Sequence, residues 1–447
     1  MWQTPSKPDY DIEIEIKSEV AIYVLSRSRG EGVDRSMADG DIELSKTEIR
    51  DILNLNRQYK KFILVLNVGG IIDLTPVLEV DTILLMSQLG TTSGDSLADV
   101  TFRKAYPSGK LAASWAPIMN YPSTKGFGEL DDTYYNEGIY VGYRYFDTVN
   151  YNPTFHFGFG LGYTQFKIIN TNIKADEKYI FIESVVKNIG KYSGKEIVQV
   201  YISAPQTILD KPYQELKGYA KTKELLPDQV EILSIVISTE SLASFDTLKS
   251  SCIMEVGKYT VRLGTSSRDT RIIATLTLDT NVEIEKVRNI CSNEVFKDIV
   301  PDFIDLADNN DCVIGCTNIN LCSCNFKKRV VKYLTEPFEI HTDRKVSWKD
   351  ICEGVASIDE FVAQLNNEEL AYICVGNFST TSGISVIGNA SDKVAGGAGE
   401  TTHYNRHYLV PELVMADRPT GHRLSSVYNI LENGNAKSKD SSFKAAY

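Results

Sequence analysis

The chain has 447 residues, 43% of them apolar and 24% charged, a composition ordinary for globular proteins and a length beyond what one hydrophobic core supports. A formal net charge of −12 with scattered Lys and Arg opposes the phosphate-neutralising surface that nucleic acids require. No stretch approaches the roughly 20 apolar residues needed to span a bilayer, so the expectation is a multidomain protein with no nucleic-acid and no membrane partner.

The N-terminal stretch Met1 to Val20 has no basic start followed by an apolar block, so it does not read as a secretory signal, and a cytoplasmic location is expected. The eight cysteines are too few for a disulfide scaffold in a chain this long. Four of them cluster as Cys312, Cys316, Cys322 and Cys324, but without the two-residue gap typical of zinc sites, so ordinary reduced thiols and no metal are expected.

In chain order, Val20 to Leu25 reads as a buried strand. Ser45 and Glu48 form a capping-box signature ahead of Ile49, Ile52, Leu53 and Tyr59, which predicts a helix. Phe62 to Leu66 is a second buried strand ending in Asn67-Val68-Gly69-Gly70, where glycines permit a tight turn, and Thr82 to Met86 repeats the theme. This βαβαβ rhythm predicts a parallel sheet covered by helices, with ligand sites beyond the carboxyl ends of its strands.

Beyond Tyr163 the pattern changes to alternating strands over 180–186, 197–202, 230–236 and 259–263, without helices between them, which predicts a β-sandwich. Residues 281–350 are less regular and read as a linker or small subdomain. Ser357 and Glu360 make another capping box for a helix over 358–366, and the polar stretch 432–442 reads as lacking regular structure.

The segment Ser28-Arg29-Gly30-Glu31-Gly32-Val33-Asp34-Arg35 follows the first strand directly. Glycines on both sides of Glu31 allow close approach of a ligand, and Asp34 with Arg35 can form an ion pair that braces the loop. A general acid needs a carboxyl group positioned in this way. In isolation the same string reads as a solvated turn.

Its context is more specific. The segment, followed by Ile63 to Gly69, Ala98-Asp99-Val100 and Pro107-Ser108-Gly109-Lys110-Leu111, resembles the acid/base loop and second domain of family-3 glycoside hydrolases. The resemblance continues through Gly138 to Asp147 and Phe157 to Tyr163, which also read as aromatic packing around a turn. It extends into the sandwich through Val186 to Gly190, Gly194 to Tyr201, Glu215 to Gly218 and Val261 to Gly264. Two later blocks, Val394 to Thr402 and Leu413 to Leu424, resemble the opening of the family's catalytic (β/α)8 barrel, in the subgroup whose barrel comes after the sandwich.

The resemblance implies a multidomain α/β plus all-β chain. Residues 1–160 would be a partial α/β sandwich domain with a parallel sheet, and 161–280 a fibronectin type III-like β-sandwich. Residues 281–350 would be the linker or small subdomain, and 351–447 an incomplete start of the barrel. It further implies a β-glucosidase-type hydrolase acting on a β-glucoside or short oligosaccharide, with Glu31 as acid/base and no cofactor. Asp417, matching the aspartate of the family's A-D-G-P-x-G-x-R motif, would hold hydroxyls of the sugar in the −1 subsite with Arg423 beside it. Two departures bear on that assignment: Arg418 stands where the family keeps glycine, and His422 replaces an apolar residue. Without the family context, Asp417 and Arg423 read as a surface ion pair.

Retaining glycosidases use two carboxyl groups about 5–5.5 Å apart. The family's nucleophile lies in an S-D-W-like segment, and none occurs here. Fewer than a hundred residues follow Asp350, whereas a full barrel takes roughly 250. A second chain supplying the rest of the barrel is one expectation and a homo-oligomer another, since the short N-terminal side would leave the sheet with an unpaired edge. The alternative function is a non-catalytic remnant or a carbohydrate-binding or interaction module.

Overall fold

The computed structural model describes residues 18–27, 35–124, 134–288, 297–301, 316–331 and 345–375. It also describes 394, 397, 399–401, 408, 410–416 and the backbone of 428–430 and 436–438. The chain divides into two compact units, one of residues 1–28 and 35–332, the other of residues 29–34 and 333–447.

The apolar runs Val20 to Leu25 in Val20–Ser26 (β1) and Phe62 to Leu66 in Lys61–Asn67 (β2) suit a parallel strand pair, and β1, β2 and Ile83–Leu85 (β3) form a parallel sheet in that order. The register Ala21↔Phe62, Tyr23↔Leu64 and Leu25↔Leu66 puts these side chains on one face. Against that face packs Lys46–Gln58 (α1), through Ile49, Ile52 and Leu53. The capping box anticipated at Ser45 and Glu48 is formed. Helices do not cover the whole sheet: β1 is an edge strand, and Val20, Ile22 and Val24 on its other face are 41%, 47% and 46% exposed.

Two further helices, Ser93–Thr101 (α2) and Tyr143–Thr148 (α3), lead toward the sandwich. The strands Phe166–Ala175 (β4), Tyr179–Asn188 (β5), Ile197–Ser203 (β6), Glu215–Lys221 (β7), Val230–Ser238 (β8), Ser244–Asp246 (β9), Ser251–Met254 (β10), Gly257–Gly264 (β11) and Thr270–Leu278 (β12) build its sheets. Alternation drives Ile180, Ile182 and Val186 of β5 and Leu233, Ile235 and Ile237 of β8 inward. They meet Val198, Val200, Tyr259, Val261 and Leu276 in one core.

The stretch expected as a linker contributes to this sandwich. Val282–Lys286 (β13) pairs with β10, Thr317–Leu321 (β14) runs parallel to β12, and Arg329–Val330 (β15) runs parallel to β13. Leu321 and Ile284 enter the core, so two apolar residues per short segment sufficed where the sequence pattern was too irregular to read.

The aromatic segments ahead of the sandwich pack as anticipated for a turn. Tyr143 stacks on Phe157 with centroids 4.6 Å apart, and its hydroxyl accepts the Leu216 amide at 2.8 Å. At the same seam Arg268 Nε lies 2.8 Å from Asp147 Oδ1, and Gln214 Nε2 donates to Asp147 Oδ2 at 2.9 Å. Burial outweighs the neighbouring guanidinium and pushes the Asp147 carboxyl up to about 6.

The second unit holds Trp348–Cys352 (α4), Ile358–Ala363 (α5) and Asn367–Val375 (α6), with formed capping boxes at Ser347/Asp350 and Ser357/Glu360. Val346, Phe361, Leu365 and Tyr408 form its small core. Gly399–Glu400 (β16) pairs antiparallel with Val414–Met415 (β17). Tyr428–Ile430 (β18) pairs antiparallel with Ala436–Ser438 (β19), so the second of these strands falls within the polar stretch read as lacking regular structure. Among the described residues no helix is long and apolar enough to cross a membrane.

Candidate active site

The carboxyl ends of β1, β2 and β3 converge on a cluster of charged groups. Arg27, the residue after β1, is 6% exposed and forms a bidentate pair with Glu48, which is 1% exposed: Nη1 donates to Oε1 at 2.9 Å and Nη2 to Oε2 at 2.8 Å. Burying both charges is tolerable because further hydrogen bonds surround the pair. Arg27 Nε donates to the Asp41 carbonyl at 2.7 Å and Nη1 to the Ser26 carbonyl at 2.9 Å, while Glu48 Oε2 accepts the Ser45 amide at 2.9 Å. One carboxylate therefore caps α1 and fixes the end of β1.

Arg35, seven residues beyond Ser28, closes the same cluster from the other side. Its Nε donates to Asp41 Oδ1 at 3.0 Å, Nη2 to the Asp41 carbonyl at 3.1 Å and Nη1 to the Ile71 carbonyl at 2.7 Å. Asp41 Oδ2 accepts the Ser36 amide at 2.6 Å and the Ser36 hydroxyl at 3.1 Å. The two arginines thus share the Asp41 carbonyl.

The neighbouring strand ends complete the frame. The Arg27 amide donates to the Asn67 carbonyl at 3.1 Å, and Gln88 Nε2 donates to the Arg27 carbonyl at 3.1 Å. A Cβ at Gly70 would lie 3.0 Å from Arg35 Nη1, and one at Gly69 would lie 3.0 Å from Gln88 Oε1. Neither glycine has a positive φ; the positive value belongs to Ser87, at 58°. The Gly69-Gly70 pair therefore serves close side-chain approach, where the sequence suggested a tight turn.

Of the residues singled out from the sequence, Arg35 is described, and its guanidinium is bonded to Asp41 and Ile71. Glu31, Asp34, Asp417 and Arg423 lie outside the described residues. The two barrel-like blocks do meet: Gly399 pairs with Met415 and Glu400 with Val414, and the Thr401 amide donates to the Leu413 carbonyl at 2.9 Å. Arg27 and Gln88 escaped sequence reasoning because each acts on a group far along the chain, and Asp41 because its carbonyl takes Arg27 from 14 positions away. Glu48 was found, but only as a cap; its second use on Arg27 is a contact across 21 positions that no local pattern announces. Among the described residues no group of three His, Cys, Asp or Glu side chains is placed to hold a metal ion.

Comparison with known proteins fits this architecture. Residues 6–163 match the glycosyl hydrolase family 3 C-terminal domain, and residues 196–267 match the fibronectin type III-like domain. A β-glucosidase of Ruminococcus albus is 32% identical over 421 residues, which is 91% of this chain and 42% of that protein. β-Glucosidase A of Butyrivibrio fibrisolvens is 32% identical over 446 residues, covering 84% of this chain and 53% of its own length. The chain therefore spans about half the length of these curated relatives.

Among solved structures, a β-glucosidase from Paenibacillus barengoltzii superimposes with a TM-score of 0.71 at 27% identity, over 94% of this chain and 47% of that one. β-Glucosidase 3B from Thermotoga neapolitana, solved with α-D-glucose, gives 0.57 at 37% identity over 60% and 39%. The chain thus carries an α/β segment that matches the glycosyl hydrolase family 3 C-terminal domain, followed by a fibronectin type III-like sandwich.

Proposed function

We propose that this chain is the acid/base-bearing part of a retaining β-glucosidase. Glu31 protonates the departing glycosidic oxygen and then activates water, while Asp417 and Arg423 hold the −1 sugar through charged hydrogen bonds to its hydroxyls. The nucleophile comes from barrel residues outside this sequence, supplied by a second polypeptide or by a longer form of the same one. Residues 351–447 are the opening of that barrel, a reading supported by the 94% of the chain that aligns with the Paenibacillus barengoltzii enzyme.

The observation that carries the proposal is the two-arginine clamp at the strand ends. A loop that donates a proton in a transition state must be held to within a fraction of an ångström. Buried Arg27 and part-buried Arg35 hold both stems of the segment containing Glu31, at the sheet end where ligands of parallel α/β folds bind.

The test is a chimera in which this chain replaces the matching segment of the Ruminococcus albus β-glucosidase. Hydrolysis of an aryl β-glucoside is expected, with kcat/KM lowered at least about 100-fold by Glu31→Gln for substrates with poor leaving groups. Undiminished turnover in Glu31→Gln removes the acid/base assignment. Sugar binding without turnover in the unsubstituted chimera favours the alternative of a non-catalytic carbohydrate-binding remnant, to which Arg418 and His422 lend support by altering the family's sugar motif.

A further inference from the structure

The cysteine cluster lies outside the site just described, and its described members differ from one another. Cys316 is part-buried, with its thiol donating to the Ile272 carbonyl at 3.5 Å, as a structural cysteine does. Cys322 and Cys324 are both exposed, and their Sγ atoms lie 2.8 Å apart. That separation is inside the van der Waals contact of two sulfurs and leaves a short movement to a covalent bond of about 2.05 Å.

Their backbone is held from the sandwich side. The Cys322 amide donates to Glu177 Oε1 at 3.0 Å, and Asn325 Nδ2 donates to the same oxygen at 3.3 Å. The Cys322 amide bond keeps the Glu177 carboxyl below its usual range, and a side-chain hydrogen bond from Ser323 does the same for Asp279. Leu321 before the pair is buried, and Phe326 after it packs on the sandwich core. The turn is thus tethered at both ends and by two carboxylates, while the sulfurs face solvent.

We propose that Cys322 and Cys324 form a thiol–disulfide exchange site, which reacts with a low-molecular-weight disulfide and closes to a disulfide within its own turn. The Cys322 thiolate attacks one sulfur of the small disulfide; that S–S bond breaks, and the leaving thiolate takes up a proton. The Cys324 thiolate then attacks Cys322 Sγ, forming the Cys322–Cys324 bond and releasing the second small thiol. The protein loses two electrons, and the small disulfide is reduced to two thiols. Within the pair, the hydrogen bond and charge of Cys322 push the Cys324 thiol up.

The test uses the full chain equilibrated in glutathione buffers of graded oxidised-to-reduced ratio, quenched with acid, alkylated and digested. The peptide containing both cysteines should pass from doubly alkylated to unalkylated and two hydrogens lighter as the buffer becomes oxidising. Cys324→Ser should accumulate a glutathione mixed disulfide on Cys322 that the parent does not retain. Phenylarsine oxide, which needs two adjacent thiols, should be captured by the reduced parent and by neither Cys322→Ser nor Cys324→Ser. Both side chains are exposed, so each serine variant should give the parent's circular dichroism spectrum. A doubly alkylated peptide at the most oxidising ratio overturns the proposal. So does stable glutathione on both cysteines of the parent, or a disulfide linking either one to another cysteine.

Discussion

Two buried arginine–carboxylate clusters organise the first unit, and they are built differently. At the strand ends, Arg27 and Glu48 meet in a bidentate pair with both partners at 6% exposure or less, and Arg27 also donates to the Asp41 and Ser26 carbonyls. At the seam with the sandwich, Asp147 is 3% exposed but its partner Arg268 is 25% exposed, and burial wins, raising the carboxyl to about 6. A fully enclosed fork fixes the end of β1 to α1; a half-open ion pair joins two packed segments and remains responsive to protons. Both clusters cost desolvation, and the geometry of the pairing decides what each provides.

The largest effect expected from breaking this contrast is at the first cluster. Arg27→Met leaves the Glu48 carboxylate buried without its charged partner and also removes the donor to Asp41. Urea denaturation should show a loss of about 3–5 kcal/mol, and α1 should lose part of its N-terminal order because Glu48 is also its cap. A loss under about 1 kcal/mol would mean that the pair is no more than a surface ion pair.

The seam is sharpened by pH. The folded-state pKa of Asp147 is raised from the ordinary 3.8 to about 6, so the folded form binds the proton more tightly than the unfolded form does. Its contribution is fully present below about pH 4 and is lost as pH rises through about 6, a change of about 3 kcal/mol. Asp147→Asn should remove that slope, so the difference between parent and variant stabilities should vary across this window and be flat above it. A difference that does not change with pH contradicts the raised value.

Arg35→Lys is the smallest change. Lysine keeps the charge but cannot reach Asp41 and the Ile71 carbonyl together. About 1 kcal/mol of stability should be lost, with a roughly tenfold fall in kcat/KM of the chimera as the second stem loosens. An activity equal to the parent's would show that the clamp does not position the loop.

Much of this fold could be read from local pattern. The strands at Val20, Lys61, Tyr179, Ile197, Val230 and Gly257 announce themselves by apolar runs or alternation, and α1 and α5 by capping boxes. What escaped is whatever depends on distant partners. β14 and β15 are short and polar on the outside, and only their parallel neighbours β12 and β13 make them strands. The site shows the same division: Glu31 and its glycines stand out as a string, whereas Arg27, Asp41 and Gln88 look like ordinary surface residues until the strand ends are brought together. Arg35 was expected to pair with its neighbour Asp34, and its described bonds run to Asp41 and Ile71.

The most direct measurement of the central claim is azide rescue of the Glu31→Ala chimera on an activated aryl β-glucoside. Azide needs no general base, so it intercepts the glycosyl-enzyme intermediate that the variant hydrolyses slowly. The account predicts restored aglycone release and a β-configured glucosyl azide. No rate increase with azide, together with parent-level hydrolysis in the variant, would contradict Glu31 as the acid/base.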